Sequence, residues 1–336
     1  MDRPIFVVGF PRSGTTLLRL MLHSHPRIAI PYETSFLLAA YRERRRFGDL
    51  TEVANRRRLA EFIVDRKEGK FHLMRLDRAD VVERIVAAPP TLGSALAAVY
   101  STYADGFGKP RWGDKRPSYV RWLDVLLRLF PDAQIVNLVR DGRDCLASLL
   151  DVPWYSRDVY YWVAEWAAAI DAGTRAAARL PAGSFHQLRY EELVASPEAQ
   201  LRRLCEFLGE TYDPAMAEPN RLAPEIVPRN RSWHRRTHAP VTTERIGAWT
   251  GRLEAWQIEL CEAAVGDRLT SLGYALSGAR RPALSHRLRY DWAALRPRLS
   301  PVKRSVTGAW DRLRPSPPIA AVPASAPVRP PSVPAP

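Results

Sequence analysis

A short apolar run from Ile5 to Phe10 passes through Gly9-Phe10-Pro11-Arg12-Ser13-Gly14-Thr15-Thr16 directly into a helical pattern. In that pattern, Thr15 to His23, residues Leu17, Leu18, Met21 and Leu22 stand at core spacing. A buried strand that turns on glycines into a helix is the architecture of a phosphate cradle. Glycine lets the backbone turn tightly, and the helix N-terminus offers free N–H groups and a positive dipole end to an anion. A nucleotide triphosphatase would carry a lysine directly after the second glycine. The glycine spacing is the same here, but Thr15 occupies the lysine position. The loop's cation is Arg12, ahead of Gly14, which suits the near end of a shorter anion. Pro11, Arg12, Ser13, Gly14, Thr15 and Thr16 are therefore the first candidate binding residues.

Other buried runs follow the same logic. Gln134 to Val139 reads as a strand followed by a helix near 143–150, and Ser184 to Arg189 as a strand followed by a helix over 191–208. A strand is also expected near 109–113, an amphipathic helix over Tyr119 to Phe130, and a long helix from Val159 to Leu180. The alternation predicts an α/β, P-loop-like three-layer fold with a central parallel sheet flanked by helices. Helical stretches at 34–46, 51–67 and 79–105, the last broken at Pro89-Pro90, read as an insertion over 34–105 that helps build an acceptor wall. Residues 209–250 look irregular and basic, and a helix around 254–272 closes a domain spanning 1–279.

Residues 280–336 have a different composition. They hold eleven Arg or Lys against Asp291 and Asp311, so they carry +9 of the chain's +14 and leave the rest of the chain mildly basic. This segment reads as a basic, Pro-rich tail, disordered at least from 315. Leu284, Leu288, Trp292, Leu295, Trp310 and Leu313 punctuate its arginines, but prolines are expected to break any long amphipathic helix. A solvated tail is the simpler reading, and peripheral association with an anionic membrane is the alternative. Cys145, Cys205 and Cys261 form no metal or redox spacing, and neither do the seven histidines, so no metal is expected. No run is long enough to span a membrane and no secretory leader precedes the first strand, so a cytoplasmic location is expected. Lysine occurs only five times, and with abundant Ala and Pro this looks like the GC-rich codon usage common in bacteria.

The strand at 134–139 ends in Arg140-Asp141-Gly142-Arg143-Asp144, with Ser148 on the following helix. An arginine fork and a hydroxyl so placed can converge on one phosphate, although a surface salt-bridge turn would look the same. Taken with Pro11-Arg12-Ser13-Gly14-Thr15-Thr16, this pattern resembles the PAPS-dependent sulfotransferase superfamily over about residues 1–275. Arginine in the loop makes it closest to the bacterial and tyrosylprotein-type branch. The resemblance implies that the first loop holds the 5′-phosphosulfate of 3′-phosphoadenosine 5′-phosphosulfate (PAPS) and that Arg140 and Ser148 hold the 3′-phosphate. It places Tyr190 beside the adenine, though Tyr190 could equally pack at a strand–helix junction. In the segment Glu244 to Trp249, relatives carry a basic residue where this chain has Ala248, and Arg245 is the candidate substitute. Lys115 matches the family's catalytic lysine. Pro117 stands where cytosolic relatives place a histidine base, and Glu33 matches the glutamate base of the other branch.

The implied activity is sulfuryl transfer from PAPS to a hydroxyl of a small molecule or glycolipid, or to carbohydrate, natural product or tyrosine. Arg12, Lys115 and Glu33 would be catalytic, with neither metal nor nucleic acid involved. Two other readings remain open. One is a P-loop kinase or nucleotide hydrolase, weakened by the missing lysine; the other is a non-catalytic nucleotide- or polyanion-binding protein that uses the basic tail.

Overall fold

The computed structural model describes residues 3–152, 157–226, 238–312 and 316–322. The first strand, β1 (Ile5–Gly9), is buried along its whole length and forms the centre of a five-stranded sheet in the order β2-β3-β1-β4-β5. The others are β2 (Ile28–Ala29), β3 (Arg111–Lys115), β4 (Gln134–Val139) and β5 (Phe185–Arg189). All four pairings are parallel, with Val7 opposite both Lys115 and Val136, and Gly9 opposite Leu138. The predicted parallel sheet is therefore present. Alternation along β1 sends Ile5 and Val7 into one core with Leu18, Met21 and Leu138, and Phe6 and Val8 into the other with Phe36, Tyr100, Trp112 and Phe130. Parallel pairing also brings the carboxyl ends of β1, β3, β4 and β5 to one edge, where ligands of such sheets bind.

After α1 (Thr15–His23), the expected insertion forms α2 (Phe36–Glu43), α3 (Val53–Asp65), α4 (Arg78–Ala87) and α5 (Leu92–Asp105). Asp77 and Thr91 cap the last two, accepting the N–H groups of Asp80 and Ser94. The helix expected from Tyr119 begins later, as α6 (Leu123–Leu129), because Pro117–Arg121 winds as a 3-10 turn. Next come α7 (Gly142–Leu149) and α8 (Val159–Arg179). The helix expected over 191–208 is two, α9 (Tyr190–Ala195) and α10 (Pro197–Leu208), because Pro197 starts a new helix. The short α11 (Ala223–Ile226) precedes α12 (Ala255–Ser271).

The tail departs from expectation. It begins with α13 (Leu284–Arg312), a helix that continues through Pro297 and Pro301. A helix-interior proline costs about 3 kcal/mol. Packing on α8 offsets this: Tyr290, Ala294 and Pro297 are buried, and His286 stacks on Trp256 at 4.6 Å and bonds the Tyr160 hydroxyl at 2.7 Å. Residues 316–322, expected to be disordered, instead run along the start of α5. The carbonyls of Pro318 and Ile319 accept the N–H groups of Leu92 and Gly93, and the Ala321 N–H donates to Leu129. Pro317 and Pro318 have no N–H to donate but keep their carbonyls, and a helix start presents N–H groups that need acceptors. The fit is close: a Cβ on Gly93 would stand 2.4 Å from the Ala321 nitrogen. The part of the tail expectation beyond 322 lies outside the described residues.

Ending the chain after Gly278 should therefore lower the melting temperature. Burial of a Tyr-sized side chain is worth roughly 1.5–3 kcal/mol, and each kcal/mol shifts the midpoint by about 2–4 °C in a domain of this size. An unchanged midpoint would show that α13 and 316–322 contribute nothing to the folded unit.

Candidate active site

The loop after β1 is closed by one carbonyl. Phe10 accepts both the Ser13 N–H at 3.2 Å and the Ser13 hydroxyl at 2.7 Å. Arg12 (φ 71°) and Gly14 (φ 97°) both take left-handed backbone, unusual for an arginine. At Gly14 no side chain fits, since a Cβ would lie 2.5 Å from the Tyr190 ring. Gly14 is also the N-cap of α1 and offers no side-chain oxygen to the first helical N–H groups. Those groups have no intrahelical acceptor, so the loop presents donors and a positive dipole end to an anion.

Arg140, just past β4, faces this loop. Its guanidinium donates to the carbonyls of Arg12 at 3.1 Å and Arg245 at 2.7 Å and lies over the Tyr190 ring at 4.3 Å. Its Nε is buried and has no hydrogen-bond partner among the described residues. Arg12 in turn donates from Nε to the Ser148 hydroxyl at 2.9 Å. Arg12, Arg140 and Ser148 are thus gathered together, but the serine is bonded to Arg12 rather than to Arg140. Tyr190 is buried, a platform for Arg140 and for the Gly14 backbone.

The Arg140–Asp144 stretch is no surface turn. Arg143 is buried and bonds Asp141, Glu262 and the Ala275 carbonyl. Asp144 accepts the N–H groups of Gly247 and Trp249, both at 3.0 Å, and so draws the segment around Ala248 over the loop. Backbone contacts to Asp144 close this segment, and Arg245 contributes its carbonyl to Arg140.

Lys115 ends β3 opposite Val7 with its side chain 2% exposed. Its Nζ donates to the Glu33 carboxylate at 3.0 Å and to the Thr16 hydroxyl at 3.5 Å. Lys70, from the turn between α3 and α4, lies 3.8 Å from the same carboxylate. Burial pushes the Glu33 carboxyl up, but Lys115, Lys70 and Arg116 outweigh it and hold the group down at about 2. Beneath the pair, Asp114 is fully buried and accepts the hydroxyls of Thr34, Tyr100 and Tyr119 at 2.9–3.0 Å and the Lys115 N–H at 2.8 Å. One carboxylate so fixes both the neighbour of Glu33 and the backbone of Lys115. Burial raises its pKa against those four bonds. Asp114, Lys70 and Asp144 went unnoticed in the sequence. The only hint was that Lys70 is one of five lysines.

The arrangement can hold a doubly anionic ligand and set a carboxylate base beside a cation. A profile of the Sulfotransferase family matches residues 4–214. The chain is 28% identical over 216 residues to protein-tyrosine sulfotransferase A of Caenorhabditis elegans, which covers 62% of this chain and 50% of that protein. It is 34% identical over 230 residues to nodulation protein NoeE of Sinorhizobium fredii, covering 62% of this chain and 50% of that one. The chain thus spans about half the length of these two relatives. Among solved structures, the sulfotransferase domain from the curacin biosynthetic pathway superposes with a TM-score of 0.56 at 20% identity, over 82% of this chain and 99% of that one. The sulfotransferase domain of the Synechococcus PCC 7002 olefin synthase gives 0.51 at 22% identity, over 88% and 94%. At these identities the structures share the fold.

The Glu33 pair has a pH signature. A carboxyl held at about 2 against its ordinary 4.5 adds stability that is fully present above the unfolded value and is lost as pH falls toward the folded one. Denaturant unfolding of wild type and Glu33→Gln should therefore differ most above about pH 5 and converge as pH falls toward about 2. A difference that stays constant or grows over that range would contradict the pairing.

Proposed function

The chain belongs to the Sulfotransferase family, and from that premise we propose that it transfers a sulfuryl group from PAPS to a hydroxyl acceptor. The observation that carries the nucleotide assignment is the arginine pair with its unpaired donor. A 3′-phosphate is an anion separate from the 5′ end, and the buried Nε of Arg140 is a charged donor without an acceptor among the described residues. Leaving such a donor unmade is costly, so the site favours a ligand that supplies one. The α1 N-terminus and Arg12 would hold the 5′-phosphosulfate, and Arg140 with the Arg12–Ser148 pair would hold the 3′-phosphate. When bound, PAPS supplies an activated sulfuryl group on a good leaving phosphate.

The chain's own residues do the remaining work, which in this type of transfer is mostly positioning and electrostatics. Arg12 and Lys115 offset charge on the transferring and leaving oxygens. Glu33 accepts the acceptor's hydroxyl proton. While Lys115 and Lys70 neutralise it, Glu33 is a weak base. As Lys115 turns to the donor's oxygens, Glu33 loses part of that neutralisation and its proton affinity rises. Carbohydrate, lipid, natural-product and tyrosine hydroxyls all suit this chemistry. The acceptor wall falls to the 34–105 insertion, which also brings Lys70 to Glu33.

Calorimetry with 3′-phosphoadenosine 5′-phosphate and with AMP tests this reading. The first should bind far more tightly. Arg140→Ala should erase most of the difference, about 2–3 kcal/mol, as for a lost charged hydrogen bond. Equal affinities in wild type would reject the PAPS assignment.

A further inference from the structure

The helix α13 has two unlike faces. Tyr290, Ala294 and Pro297 are its inner face, buried on the α8 side. On the opposite side Leu284, Leu288, Trp292, Leu295 and Leu299 recur every three or four residues and so form one stripe. They are exposed by 66, 60, 79, 45 and 61% respectively. Single exposed leucines are ordinary, but five large apolar side chains in line are not. From Leu284 to Leu299 the stripe is roughly 24 Å long at the helical rise. Exposed Arg287, Arg289 and Arg298 flank it, Arg280 and Arg281 precede it, and Asp291 is the acid beside it. The stacking of His286 on Trp256 and its bond to Tyr160 hold the helix start to the domain.

We propose that α13 docks the protein on an anionic lipid surface, lying in the plane of the interface. The stripe enters the acyl boundary and the arginines meet phosphate headgroups, the pattern of an interfacial helix. Trp292, the most exposed of the five, suits that boundary with its apolar ring and polar N–H. Charge argues against a second copy of this chain as the occupant. Pairing two stripes would bring both sets of flanking arginines together along the seam. An anionic bilayer supplies an apolar interior and negative charge along the whole stripe at once. No helix among the described residues is long and apolar enough to cross a membrane, so the contact is with the surface.

Vesicle co-sedimentation of the full chain tests this, using phosphatidylcholine alone or mixed with phosphatidylglycerol. The protein should bind the mixed vesicles, release as salt rises, and ignore phosphatidylcholine alone. Leu288→Glu with Trp292→Glu should weaken binding at least tenfold with an unchanged melting temperature. Arg287→Ser with Arg298→Ser should weaken it several-fold and flatten the salt dependence, which keeps the test valid should the first variant fail to fold. Wild type that does not sediment with the mixed vesicles would overturn the proposal. So would variants that bind as wild type, or light scattering that shows the stripe holding a dimer.

Discussion

One guanidinium at the carboxyl end of β4 ties the site together. Arg140 holds the first loop through the Arg12 carbonyl and the closing segment through the Arg245 carbonyl, while its flat face rests on Tyr190. Hydrogen bonds from a charged donor are worth roughly 1.5–3 kcal/mol each, so these contacts carry much of the loop's order. The sheet dictates where this arginine stands. With Gly9 opposite Leu138 in a parallel pair, the residues just beyond each strand must lie side by side. Left-handed backbone at Arg12 and Gly14 then turns the loop so that the Arg12 carbonyl meets Arg140 and α1 starts directly after Gly14. The strain of an arginine at positive φ persists because the surrounding contacts over-determine it.

The closing segment depends on the same corner. Asp144 lies 3.7 Å from the Arg140 guanidinium and takes the N–H groups of Gly247 and Trp249. Arg143 underlies Trp249 at 4.1 Å and is itself held by Asp141 and Glu262. Buried charge of this density is costly unless it is paired, and here the partners come from the turn after β4, from α7, from the segment before α12, from α12 itself and from the segment after it. The site is therefore assembled only when distant parts of the chain have docked, which also places the tail's packing against α8 within the same folded unit.

How much of this was legible follows from where each signal lies. β1 and β4 were readable because a buried parallel strand is a continuous apolar run, and the loop was readable because its glycines and Arg12 are contiguous. Glu33 and Lys115 stood out through family resemblance alone. Nothing local marks two residues 82 apart as an ion pair. Asp114 and Asp144 were invisible because their meaning is in their acceptor roles toward Thr34, Tyr100, Tyr119 and the 247–249 backbone, which only folding brings near. The described part of the tail departs from expectation for the opposite reason. Its composition suggests disorder, but composition says nothing about the N–H groups at the start of α5 that its carbonyls satisfy, or about α8, which receives Tyr290. The prolines that should have broken α13 are tolerated because tertiary packing overrides propensity.

The central claim is that Glu33 takes the acceptor's proton while the arginines hold the donor. Measuring turnover and nucleotide-product affinity together, with one working acceptor, separates those roles. Glu33→Gln keeps the shape and removes the proton acceptor, so turnover should fall roughly 10²–10⁴-fold with product affinity close to wild type. Arg12→Ala should lose both, because Arg12 stands in the loop and bonds Ser148. Near wild-type turnover in Glu33→Gln would contradict the account and move the base to another residue.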